Sequence, residues 1–110
     1  MDEFLIMTPK TWSLETFVDR AAKLWFTESV GNHGVVIQES SSRVYINEAP
    51  DFHRHAGDDA YCDSRVWRAY ESRPESRFFF LRYSDRELAE EILRVVADDP
   101  SVIIDDGTAP

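Results

Sequence analysis

The run Asp51-Phe52-His53-Arg54-His55-Ala56-Gly57-Asp58-Asp59 holds the densest set of side chains able to do chemistry. Two imidazoles two residues apart, followed by two carboxylates, offer nitrogen and oxygen ligands at short range. With Cys62 they include the ligand types of a zinc site. Ligand type is not geometry, and a site also needs a set number of donors held at metal distance. The expectation is a solvated loop with no metal and no cofactor. A metal-dependent enzyme using His53, His55 and Asp58 is the alternative. Cys62 near a histidine is also the pattern of a thiolate nucleophile. The acids around it, Asp58, Asp59 and Asp63, disfavour a thiolate, so an inert thiol is expected.

The metal reading weakens further against a known spacing. The run differs from the His-x-His-x-Asp-His of metallo-β-lactamase-like hydrolases: Gly57 stands where the first acid belongs, and no histidine follows Asp58-Asp59. The acid pairs Asp58/Asp59, Asp98/Asp99 and Asp105/Asp106 could each serve as a catalytic couple. Asp98/Asp99 falls where a helix should end before Pro100, and Asp105/Asp106 leads into Gly107 as a turn. Only four glycines occur, and they form no phosphate-cradling loop. Arginines flank Phe78-Phe79-Phe80 instead of interleaving with it, so the triplet reads as core strand and not as a base-stacking platform. No catalytic residue is expected.

Charge points to binding. The chain has 110 residues and a formal net charge of −9. Such a field repels nucleic acid and anionic membrane and attracts basic surfaces. The charge is also sorted. Asp51, Asp58, Asp59 and Asp63 precede an arginine-rich stretch with Arg65, Arg68, Arg73, Arg77, Arg82 and Arg86. A strongly acidic end follows, with Glu87, Glu90, Glu91, Asp98, Asp99, Asp105 and Asp106. Tyr61, Trp67 and Tyr70 lie between acids and arginines, and aromatics in such surroundings make interface anchors. Asp58, Asp59, Tyr61, Asp63, Trp67 and Tyr70 are therefore the expected contacts with a protein partner. The acidic stretch from Glu87 to Asp99 is the next surface in line.

The elements that must position these residues follow from periodicity. One domain is expected at this length, and 43% hydrophobic residues supply a core. The single cysteine leaves no intrachain disulfide and fits a reducing compartment. No signal-peptide pattern and no membrane-spanning run is apparent, so a cytoplasmic location is expected. Phe4–Thr8 reads as a strand ended by Pro9. Ser13 caps a helix with Leu14, Phe17, Val18, Ala21, Leu24 and Trp25 on one face, and Trp12 can staple to Phe17. Val35–Glu39 and Arg43–Asn47 form a hairpin around Ser40-Ser41-Ser42. Residues 48–76 are irregular, with a short helix near 63–72. Arg77–Tyr83 is a central strand. Ser84-Asp85-Arg86-Glu87 is a capping box for a helix running to about Asp98, with Leu88, Ile92, Val95 and Val96 inward. Val102–Ile104 is a last strand. The order β-α-β-β-(α)-β-α-β predicts an α+β fold, a two-layer α/β sandwich of ferredoxin-like or related type.

The stretch Phe78–Asp106 combines an apolar strand, the Tyr83-Ser84-Asp85 helix entry, an acidic amphipathic helix, Asp98-Asp99-Pro100 and Val102-Ile103-Ile104-Asp105-Asp106. In this architecture the chain resembles the small acidic immunity proteins that bacteria make against secreted toxins. The resemblance covers about a quarter of the chain. It implies a cytoplasmic, non-enzymatic inhibitor that blocks a basic toxin domain, often a nuclease, by direct binding. A regulatory or scaffolding module with another protein partner is the alternative within the binding class.

Overall fold

The computed structural model describes residues 2–31, 34–58, 61 and 64–106. Strand β1 (Asp2–Thr8), helix α1 (Leu14–Ala21), strands β2 (Phe26–Val30), β3 (Gly34–Glu39) and β4 (Ser42–Glu48) come first. A one-turn 3₁₀ helix (Phe52–His55), helix α2 (Ser64–Ser72), strand β5 (Arg77–Tyr83), helix α3 (Arg86–Val96) and strand β6 (Ile103–Asp105) follow. The strands make one sheet in the order β2-β3-β4-β5-β1-β6, and every neighbouring pair is antiparallel. None of the described helices is long and apolar enough to cross a membrane.

The topology follows from the two crossovers. β1 and β4 both run against β5, so they are parallel to each other with β5 between them. β5 and β6 both run against β1, so they are parallel with β1 between them. Two split crossovers of this kind are the ferredoxin-like arrangement. β3 and β2 extend it on the β4 side.

β5 shows why its sequence is apolar almost without interruption. Phe79, Leu81 and Tyr83 point into a core shared with Phe17 of α1 and with Leu88, Ile92 and Val96 of α3. Phe78 points the other way, into a smaller core with Leu5, Met7, Phe52, Val66 and Trp67, and Phe80 packs against it. Over Phe78–Leu81 the strand is covered on both faces and spares no position for polar residues, whereas Arg82 lies beyond that cover and is exposed. Helices α1 and α3 thus form the second layer of the sandwich, and α2 with the 3₁₀ turn covers part of the opposite sheet face.

Three sequence expectations need correction. The first helix ends at Ala21, not near Trp25. Leu24 and Trp25 continue the helical rhythm on paper, but a turn intervenes and Leu24 is 65% exposed. The residues after that turn form β2, a strand the periodicity did not reveal. The cap of α3 is Asp85, one residue later than the Ser84 capping box, and its carboxylate accepts the Leu88 N–H at 3.2 Å. Trp12 does meet Phe17, edge to face at 5.4 Å, and Thr16 Oγ1 accepts the Ser13 N–H. Gly31, at φ 66, opens the β2–β3 connection in the left-handed region that favours glycine. Asn32, His33 and the tail 107–110 lie outside the described residues.

One ion pair ties the layers. The Arg77 guanidinium donates to both oxygens of Glu48, at 2.9 and 2.7 Å, and also to the Trp12 carbonyl oxygen. It joins the end of β4, the start of β5 and the entry to α1. Arg77→Met leaves a half-covered Glu48 carboxylate and an unpaired Trp12 carbonyl. We expect a loss of about 1–3 kcal/mol in urea denaturation, below the range for a wholly buried pair because both ends keep some water. Unchanged stability would show that the tie is decorative.

Candidate functional site

The loop expected to carry function is built around Phe52. Its ring enters the smaller core, 5.0 Å from Phe78 and 5.6 Å from Trp67 at 15°. This pins the 3₁₀ turn and sends the flanking histidines to different partners. His53 Nδ1 lies 3.1 Å from the Pro50 carbonyl oxygen. The His55 ring lies 3.9 Å from the Tyr61 ring. Among the described residues no three His, Cys, Asp or Glu side chains converge as metal ligands.

The expected partner contacts separate in the structure. Trp67 is 5% exposed, and its indole N–H donates to the Asp58 carbonyl at 3.2 Å. It belongs to the core and offers a partner no surface. An amphipathic helix must turn one face inward, and Val66 and Trp67 are the residues of α2 that do so. Tyr70 is half-buried, its ring 5.6 Å from Phe78. Tyr61 is 50% exposed, and its N–H donates to the Asp58 carbonyl. Among the described members of the set, Tyr61 and Asp58 are thus the ones exposed to solvent. Asp59, Asp63 and Cys62 lie outside the described residues.

A more strongly charged concavity lies at the other end of the sheet. The β3–β4 turn, with Ser40 at φ 53, folds over the start of α3. β4 pairs with β5 in a register that sets Val44 opposite Tyr83, so Ser42 comes beside Asp85. Ser42 Oγ donates to Asp85 Oδ2 at 3.3 Å while Asp85 Oδ1 caps α3. The Trp25 indole N–H donates to Glu39 Oε2 at 2.7 Å and fixes that carboxylate. The result is a cleft of about 200 Å³ lined by Glu39, Ser40, Ser42, Asp85, Glu87, Leu88 and Glu91. Four carboxylates line it and no cation does.

Arg86 and Arg43 follow Asp85 and Ser42 in the chain, and neither lines the cleft. Arg86 turns to Glu90 at 2.9 Å and lies over the Phe4 ring, and the Glu90 hydrogen bond raises its pKa. Arg43 lines an adjoining concavity with Ser41, Ser42, Tyr45, Ser84 and Asp85. What the cleft can do is receive a lysine or arginine side chain in charge-assisted hydrogen bonds. No family model, curated protein or solved structure matches the chain.

Of the remaining acid pairs, Asp99 has visible structural work. Asp99 accepts the Ser101 N–H and hydroxyl at 2.8 and 2.6 Å, which holds its carboxyl below the usual range and closes the turn after α3. Asp98 is exposed, Asp105 is buried in β6 and Asp106 is exposed. A third concavity, between Pro9-Lys10 and residues 72–76, is bridged by the Lys10–Glu75 ion pair and has no single sign of charge. The sequence sets the acids of α3 second among the expected surfaces and does not join Glu39 and Asp85 to them. The available signal was the pairing of β4 with the strand before α3, which brings residues 39 and 85 to one sheet end.

Proposed function

We propose that this chain is a protein-binding domain without chemistry of its own, and that its acidic cleft docks on a basic surface of a partner. The observation that carries this reading is the cleft itself: four carboxylates around one concavity, two of them fixed by Trp25 and by the cap of α3. Fixed carboxylates lose little freedom on binding, so more of the attraction reaches the affinity. The resemblance to small acidic immunity proteins names the partner class. The partner is a basic toxin domain, and occlusion of its active surface neutralises it. The net charge of −9 steers the encounter.

The test uses the product of the gene beside this one, or a partner recovered by cross-linking. Association is followed by stopped-flow mixing. Glu39→Lys combined with Glu91→Lys should slow association by about tenfold or more at low salt, and added salt should slow the unaltered protein in the same direction. An unchanged rate with an intact fold removes the cleft from the interface. Tyr61→Ala and Asp58→Lys are measured alongside. If they weaken binding by about 2 kcal/mol and the cleft pair does not, the loop around Tyr61 is the interface instead.

A further inference from the structure

The two edges of the sheet differ. β6 is three residues long and ends on the buried Asp105. β2 is five residues long, pairs with β3 alone, and keeps register through all five pairs without a bulge. On its outer side, alternate residues present backbone N–H and C=O groups, and no strand among the described residues lies beyond them. Natural edges are commonly guarded by proline, lysine or a bulge. β2, with the sequence Phe-Thr-Glu-Ser-Val, has none of these and carries a single charge, the exposed Glu28.

Its side chains mark which face is open. Phe26, Glu28 and Val30 lie opposite Gln38, Val36 and Gly34, on the sheet face away from α1 and α3. The smaller core, with the 3₁₀ turn and α2, lies over β1, β5 and β6. Val36, opposite Glu28, is buried as well, so the exposed part of this face is at Phe26, Glu28 and Val30. Phe26 is 64% and Val30 49% exposed. Of the four strongly exposed large apolar side chains among the described residues, these two are on β2 and Leu24 stands two residues before it.

We propose that β2 is a strand-addition site that accepts an extended segment of a partner protein, antiparallel, with the pattern apolar-x-basic-x-apolar. Charge selects this occupant. Directly opposed residues share a face, so the added strand sets apolar side chains against Phe26 and Val30 and a lysine or arginine against Glu28. The same rule disfavours a second copy. The self-pairing register that uses all five residues puts Glu28 against Glu28, and like charges directly opposed are destabilising. The proposal concerns a surface separate from the acidic cleft and does not rest on it.

The probe is the peptide acetyl-Thr-Val-Thr-Lys-Thr-Val-Thr-amide, titrated into ¹⁵N-labelled protein. Shift changes should centre on the amides of residues 26–30. A peptide with Glu in place of Lys should bind roughly fivefold more weakly, and Glu28→Lys should reverse that order. Glu87→Lys with Glu91→Lys should leave the titration unchanged, which separates failure of this site from failure of the cleft; Glu39 is kept because the Trp25 indole beside β2 donates to it. Absence of shifts at residues 26–30, equal binding of both peptides, or loss of binding in the cleft variant would overturn the proposal. So would a dimer, seen in sedimentation, that Phe26→Lys dissolves.

Discussion

Trp67→Ala should lower the unfolding free energy by about 3–5 kcal/mol, the range for truncating a buried large aromatic. Trp67 stacks on Phe52, approaches Phe78 at 6.0 Å and Tyr70 at 6.0 Å, and donates to the Asp58 carbonyl. Its loss empties the middle of the smaller core and frees the loop that Phe52 pins. A domain of this size has about 5–15 kcal/mol in all, so the variant should be close to unfolding at moderate urea. Trp67→Phe keeps the stack and loses the indole N–H, and should cost less, about 1–2 kcal/mol. Urea denaturation followed by circular dichroism measures both. A loss below 1 kcal/mol for Trp67→Ala would place the ring on the surface, where it could again be an interface anchor.

The misplacement of Trp67 shows what a single sequence conceals. Composition tells that Tyr61, Trp67 and Tyr70 lie among charges, which is true of an interface and equally true of a short helix capping a small core. Only the partner face decides, and that face is assembled from Phe78 on the next strand together with Leu5 and Met7 on the distant β1. The acidic cleft was hidden for the same reason. Glu39 and Asp85 are 46 positions apart in sequence, and nothing local to either one predicts their meeting. What local physics governs was legible. The Trp12–Phe17 staple, a short helix near 63–72, the central place of β5 and Leu88, Ile92 and Val96 on the inward face of α3 all follow from spacing along one element, whereas Val95, expected on that face, is outside the core and Ala89 and Leu93 are in it. β2 was lost because Leu24 and Trp25 extend the 3.6 rhythm of α1 by chance, while Phe26 and Val30 lie too far apart to announce a strand.

Ile92 and Leu24 make that contrast measurable. Both belong to apolar stripes of helical spacing, and their positions alone would assign them the same role. In the structure Ile92 is fully buried in the larger core, whereas Leu24 follows the end of α1 and stands in solvent. Ile92→Ala should therefore cost about 2–5 kcal/mol, because the removed methylene and methyl groups leave a cavity that packed neighbours fill only in part. Leu24→Ala should stay within about 0.5 kcal/mol, as expected for a surface site away from caps and networks. The two variants go into one urea series with a shared baseline, so the comparison does not depend on extrapolation. Equal losses would mean that α1 continues through Leu24. The chain after Ala21 would then be helical, β2 would be shorter than five residues, and the exposed edge that it offers to a partner strand would shrink with it.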